Sequence, residues 1–409
     1  MKKISAALLS ILIIFALSLS AFAVSENKED IKDPDGGIAG VCARGMWHEY
    51  PENSLEGILA AGKTGIDYVL IDVRKTSDGK FVLFRDETTK RMISGDERNI
   101  SDMTSSEIKE LFLKDNAGGA GEKDSEYKVA FLDEVISAAK ENDISLMINA
   151  EVNIINELCV FLNENNAVDD TVLLCNAKAV DIKAALEGIK NVPSVIGVKR
   201  GNVIFAVNSY IKSMYDNGYN GVVLKTKNRY GVIFHQTVLK FFGGKMRAAA
   251  DLTDIELAGY REDSEKWWND LISRGYSVII TNAPEAFCEY KERNAEVRKN
   301  LKAEYEKYTS GWKLPDFKSD IFNDYKKAYT DAVTTAERLL ADKSVSTQEM
   351  NDCIAALQSS VDNINANYEA LEKGSAGMTV SVPRICLCIG AAVVVVAVQI
   401  FFYKKRKEQ

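Results

Sequence analysis

Apolar residues fall along this chain in three distinct rhythms. From Gly37 to about Pro284, short apolar runs alternate with amphipathic stretches. The runs are Ile38–Ala43, Tyr68–Val73, Leu146–Val152, Val172–Cys175, Ser194–Val198, Gly221–Leu224, Met246–Ala250 and Ser277–Thr281. Continuous apolar runs of this length suit strands buried on both faces, as in a parallel sheet. Stretches such as Ser54–Lys63, Leu132–Glu141 and Ser264–Arg274 between them follow the helical period. Strand and helix in alternation over this length predict an α/β fold, a (β/α)8 TIM barrel. A doubly wound open sheet gives the same pattern. In a barrel the functional residues stand at the C-terminal strand ends, here Ala43 and Arg44, Asp72, Glu151 and Asp251.

Beyond Pro284 the rhythm is helical only. Glu289–Thr309 is charged and helical, and Asp320–Leu340 spaces Ile321, Tyr325, Ala328, Ala332, Ala336 and Leu339 along one face. Ser346 and Glu349 form a capping-box signature ahead of a third helix, with Met350, Ile354, Leu357, Val361 and Ile364 on one face. Three such helices bury one another's stripes as a bundle. The competing picture is a single stalk, which Gly311, Pro315 and Ser344–Ser346 would interrupt.

The third rhythm belongs to the two ends. Lys2 and Lys3, an apolar run to Leu19 and the Ala21-Phe22-Ala23 pattern read as a secretory signal peptide over residues 1–23, with an uncleaved anchor as the alternative. Ile385–Tyr403 is apolar except for Gln399 and spans about 28 Å as a helix, close to a hydrocarbon core. The cations after it place residues 404–409 in the cytoplasm. The expected organisation is a signal peptide at 1–23, a barrel at 37–290, a helical module at 291–372, a linker at 373–384, a transmembrane helix at 385–403 and a basic tail at 404–409.

Charge and composition narrow the chemistry. The net charge is −8 over 409 residues, which argues against a nucleic-acid partner. Without the two ends, 44 lysines and arginines face 58 aspartates and glutamates, leaving a charge near −14. Such a surface is not drawn to anionic headgroups. Of the seven cysteines, Cys386 and Cys388 fall in the C-terminal apolar run, and none has metal-ligand spacing. Cys42, Cys159 and Cys175 sit in apolar runs as small core residues. His48 and His235 are the only imidazoles, so proton transfer by histidine has two candidates.

One set of motifs is specific. It runs Cys42-Ala43-Arg44-Gly45, Pro51-Glu52-Asn53-Ser54, Leu70-Ile71-Asp72-Val73-Arg74-Lys75-Thr76, Asp78-Gly79, Phe84-Arg85-Asp86-Glu87, Arg91, Leu132-Asp133-Glu134-Val135 and, in the last strand, Ile279-Ile280-Thr281-Asn282-Ala283-Pro284. This order resembles the glycerophosphodiester phosphodiesterase family, over roughly Ile38 to Tyr290. The resemblance implies a TIM barrel and phosphoric diester hydrolysis in lipid metabolism. It implies a divalent cation on the phosphate and two histidines for acid and base work. It also implies histidine where this chain has Ala43 and Arg85, and a metal carboxylate where it has Leu70.

Arg44, Glu52, Asn53, Asp72 and Asp86 match the family pattern, and Glu151 matches more loosely. Asp72 and Glu151 are the oxygen ligands left for a weakened Mg²⁺ or Ca²⁺ site. Glu52, Asn53 and Asp86 take structural places. Arg44 and Arg85 offer guanidinium forks to a phosphate-bearing ligand, and His48, in the loop before Pro51, is the third candidate to contact it. Arg85 alternatively neutralises Asp72 or Asp86. Alanine shuttles no proton and arginine stays charged, so the expectation is an impaired enzyme acting as a surface binding or scaffold module. The alternative is an active metal-dependent phosphodiesterase with a rearranged site. The helical region resembles the small three-helix FIVAR modules of bacterial surface proteins.

Overall fold

The computed structural model describes residues 28–372, apart from 202, 226–231, 243, 252, 254–262 and 317–321. The expected signal peptide, linker, membrane span and basic tail lie outside the described residues. Among the described residues no helix is long and apolar enough to cross a membrane.

Eleven strands form: β1 (Ala39–Ala43), β2 (Tyr68–Lys75), β3 (Phe81–Leu83), β4 (Phe112–Lys114), β5 (Asp124–Lys128), β6 (Leu146–Ala150), β7 (Thr171–Cys175), β8 (Ser194–Arg200), β9 (Gly221–Lys225), β10 (Arg247–Asp251) and β11 (Val278–Thr281). Eight of them, in the order β1-β11-β10-β9-β8-β7-β6-β2, are parallel neighbours, and β1 also pairs with β2. The sheet therefore closes as a TIM barrel, which excludes the open sheet. The longer helices are α1 (Leu55–Lys63), α2 (Leu132–Glu141), α3 (Ile155–Glu164), α4 (Ala179–Ala185), α5 (Ile204–Asp216), α6 (Glu265–Ser273), α7 (Pro284–Glu306), α8 (Asn323–Ala341) and α9 (Thr347–Glu372).

The period of two divides each barrel strand between two cores. Val41, Ala43, Leu70, Met147, Leu174, Val198, Val223, Ala249 and Ile280 fill the barrel interior. The alternate positions, among them Cys42, Val69, Ile71, Ile148 and Leu224, pack outward beneath the helices. Arg247, fully buried, closes the end of the barrel opposite the mouth. Its guanidinium donates to the carbonyls of Asp33 (3.0 Å), Gly37 (2.6 Å) and Ser277 (3.0 Å).

Between β2 and α2 the chain makes an excursion that the apolar pattern does not signal. β3 adds antiparallel to β2, and β4 pairs with β5 as a separate ribbon. Val82, Phe84, Met92, Ile100, Met103, Ile108, Leu113 and Val129 give this excursion its own core. It leans over the mouth through Glu52 N, which donates to Asn116 O at 2.9 Å.

The three C-terminal helices pack on one another through Leu301, Tyr308, Ala336, Leu339, Met350, Leu357 and Val361, so the stalk is excluded. The expected capping box forms. Ser346 Oγ donates to Glu349 Oε2 at 2.8 Å, and Glu349 N donates to Ser346 Oγ at 3.2 Å. The junction departs from expectation. The boundary at 290/291 falls inside α7, which buries Phe287 and Tyr290 against the barrel and Leu301 in the bundle. One continuous helix serves both because its apolar face simply changes partner along its length.

Candidate functional site

At the C-terminal strand ends a cavity of about 850 Å³ opens. Its lining includes Ala43, Arg44, Leu70, Asp72, Arg74, Arg85, Asp86, Asn149, Glu151, Arg200, Lys225 and Asp251, and no histidine. The mouth is reached where each strand's inward alternation passes from apolar to polar: Val198 to Arg200, Val223 to Lys225, and Ala249 to Asp251.

The first wall is built by a sharp turn after β1. Arg44 and Gly45 both take left-handed backbone, with φ of 60° and 74°, and Asn53 follows at 59°. Two non-glycine residues held this way mark a backbone that its surroundings constrain. At Gly45 the constraint is contact, since a Cβ would stand 2.6 Å from the Gly57 carbonyl carbon. The turn folds Asn53 N back to donate to Arg44 O at 3.0 Å.

A chain of alternating charges results. Arg44 Nη1 meets Glu52 Oε2 at 2.7 Å, with both side chains buried. Arg91 pairs with the other Glu52 oxygen and, through Nε, with Asp86 Oδ2 at 2.6 Å. Burial works against the charge on Arg91, but Glu52 and Asp86 outweigh it and hold its pKa above the ordinary guanidinium value. Arg91 joins Glu52 and Asp86. Arg44 also lies 5.6 Å from the Trp47 ring centroid. Its Nη2 is buried and has no hydrogen-bond partner among the described residues.

Asp72 and Glu151 both line the cavity, but their oxygens are engaged. Asn53 Nδ2 donates to Asp72 Oδ2 at 3.2 Å, and Asn149 Nδ2 donates to Asp72 Oδ1 at 2.6 Å. The Asn53 amide is fixed in that sense, because its Oδ1 accepts from Asp72 N at 3.0 Å. Glu151 takes Arg74 Nη1 at 2.6 Å. The Leu70 position supplies no oxygen: it is the register partner of Ala43 and lies with it in the apolar interior. Among the described residues no three His, Cys, Asp or Glu side chains are grouped to hold a metal ion. A Mg²⁺ or Ca²⁺ ion here would share the Asp72 and Glu151 oxygens with these N–H donors and draw most of its other ligands from water.

The remaining expected residues separate. Arg85 is half-buried at the cavity, and its carbonyl accepts from Arg74 Nη2 at 2.8 Å. Asp86 takes the Arg91 guanidinium. His48 does not reach the site. It is exposed, its ring 3.7 Å from the Trp47 ring, and it is absent from the cavity lining. The turn that buries Arg44 and Trp47 directs the next residue to the surface. His235 caps a short helix, accepting from Thr237 N at 3.3 Å.

Motif reasoning missed the far wall. Lys225 Nζ meets Asp251 Oδ2 at 2.5 Å, and Thr253 donates to Asp251 Oδ1 through N (2.9 Å) and Oγ1 (2.6 Å). Burial disfavours the Asp251 anion, yet Lys225 and Thr253 together hold its carboxyl below the usual aspartate range. The legible signal for Lys225 and Arg200 was positional: each stands two residues beyond an inward apolar residue.

Residues 44–186 match the profile of the glycerophosphoryl diester phosphodiesterase family. Glycerophosphodiester phosphodiesterase 1 of Rattus norvegicus is 36% identical over 87 residues, 21% of this chain and 26% of that protein. This chain thus spans about a quarter of that relative's length. The protein YqiK of Bacillus subtilis (strain 168) is 25% identical over 247 residues, 59% of this chain and 93% of that protein. The crystal structure of a glycerophosphoryl diester phosphodiesterase from Parabacteroides distasonis aligns with a TM-score of 0.50 at 18% identity, covering 62% of this chain and 85% of that one, a likeness of fold. Over residues 44–186 this chain is therefore similar to the glycerophosphoryl diester phosphodiesterase family, and its closed barrel is the fold of the aligned crystal structure.

Proposed function

We propose that this protein is a surface binding or scaffold module on a phosphodiesterase fold, taking a small phosphate-bearing ligand at the barrel mouth without hydrolysing it. In this reading it is exported by residues 1–23 and held in the cell membrane by 385–403, with 404–409 inside. The observation that carries the reading is the Ala43–Leu70 pair. These neighbours on β1 and β2 stand where the family pattern has an imidazole and a metal carboxylate, and both are buried among apolar side chains. No proton carrier and no oxygen ligand occupies that wall. Losing acid/base groups worth about 10²–10⁴ each in rate leaves little catalysis.

Binding survives such losses more readily than turnover does. Arg44 supports this, since a buried guanidinium nitrogen with no partner is costly unless a ligand meets it. Arginine forks suit phosphate oxygens, and Arg85 stands on the same cavity. The alternative of an active metal-dependent phosphodiesterase needs a proton carrier. His48, exposed and away from the lining, gives it no support.

Thermal melting of the full chain in detergent, with and without glycerol 3-phosphate, tests the reading. A ligand of the folded state raises the midpoint, by an amount that grows with its concentration. We expect a rise that Arg85→Ala diminishes. No rise at millimolar ligand contradicts binding and leaves a rigid spacer.

A further inference from the structure

The direction of α7 fixes which end of the barrel the bundle occupies. β11 ends at the mouth, and α7 begins there after Asn282 and Ala283. The helix then runs back along the barrel wall. Cys288 Sγ comes within 3.9 Å of Thr64 Oγ1, and Lys291 Nζ meets Asp67 Oδ2 at 2.5 Å. Thr64 and Asp67 lie between the end of α1 and the start of β2, on the face opposite the mouth. Three residues on, Asn294 Nδ2 donates to Val345 O at 2.8 Å and to Thr347 Oγ1 at 3.1 Å.

The turn between α8 and α9 therefore rests on the closed face. Ser344 Oγ donates to Gly36 O at 2.8 Å, and Lys343 lies 3.7 Å from Asp33. From there α9 leads away from the barrel. Its Asn365 accepts from Trp312 Nε1 at 3.2 Å, and Trp312 lies just beyond the far end of α7. Twenty-six helical residues carry the chain about 39 Å from the closed face to Glu372, 13 residues before the apolar run begins in the sequence. The mouth lies on the other side of the barrel. Beside it Val203 and Phe205, the latter 81% exposed, open α5 a few residues after the cavity-lining Arg200.

We propose that the anchored chain holds its barrel mouth, with Phe205, directed away from its own bilayer. The ligand at the mouth is then a soluble phosphate-bearing molecule arriving from the surroundings, not a headgroup of the anchoring membrane. The inference rests on the anchored, ligand-binding reading above. The negative charge of the exported part works in the same sense, since it does not draw the barrel down onto anionic headgroups. The exposed Phe205, which on a mouth facing the bilayer would insert into lipid, faces water.

The test uses the full chain reconstituted in phosphatidylcholine/phosphatidylglycerol liposomes, with Cys288, Cys386 and Cys388 replaced by alanine. A donor dye is placed at Phe205→Cys or at the exposed Ala366→Cys near the far end of α9. Energy transfer to a lipid-borne acceptor is expected to be several-fold stronger from 366 than from 205, with the melting rise on glycerol 3-phosphate unchanged by the liposome. Equal or stronger transfer from 205, or a melting rise present in detergent and absent in liposomes, overturns the outward mouth alone. No transfer from either position shows the chain is not anchored and removes this inference while leaving ligand binding untouched. No melting rise in either medium contradicts the binding reading instead.

Discussion

Glu52 shows how single residues set this site. Its two oxygens hold two guanidinium groups, and its side chain is 1% exposed. An ion pair this deeply placed adds little net stability while intact, but removing one partner strands the other's charge. Glu52→Gln leaves Arg44 and Arg91 without their shared anion, and should lower the unfolding free energy by about 3–5 kcal/mol in urea titration. A loss below about 1 kcal/mol would be the signature of an exposed pair and would contradict the buried network. Asp251 makes a pH prediction. Its folded pKa lies below its unfolded value, so its contribution is complete above about pH 4 and fades as pH falls through the folded pKa. The stability gap between the wild type and Asp251→Asn should therefore be widest near neutrality and close in acid. A gap that widens below pH 4 would contradict the pairing with Lys225.

At the scale of elements, the clearest lesson is what the apolar pattern carries. The eight barrel strands were legible because each is buried on both faces, and burial on both faces writes an unbroken apolar run. β5 was not, since Asp124–Lys128 alternates exposed and half-buried positions without one aliphatic side chain. β3 and β4 span three residues each, too short for any period to register. The site divides in the same way. Arg44, Glu52, Asn53, Asp72, Asp86 and Glu151 belong to spaced motifs and were found. Arg200 and Lys225 stand at strand ends outside those motifs, and only the closed barrel brings them, with Arg74 of β2, to one cavity. The capping box at Ser346 was legible because both of its partners lie within four residues. Ser346→Ala removes both the cap and the return bond from Glu349, and should cost about 1 kcal/mol of bundle stability by denaturant titration. No loss would mean that the helix start is held without the Ser346 hydroxyl, by the Ser346 N bond to Glu349 and the contacts of Asn294, Tyr290 and Asn269.

The whole molecule combines a polar barrel mouth with one apolar wall. The strained turn at Arg44 and Asn53 and the buried Glu52 border the cavity, whereas the Ala43–Leu70 wall is apolar and Asp72 is held by two amides. α7 ties the barrel to the bundle without a hinge, so the module presents the mouth in a fixed direction. The claim that decides the rest is that no phosphodiester is cleaved there. The direct measurement is release of glycerol 3-phosphate from glycerophosphocholine by the full chain in detergent, with Mg²⁺ or Ca²⁺ supplied, alongside Asp72→Ala. The account predicts the same background rate from both proteins. Turnover by the wild type that Asp72→Ala abolishes would contradict it.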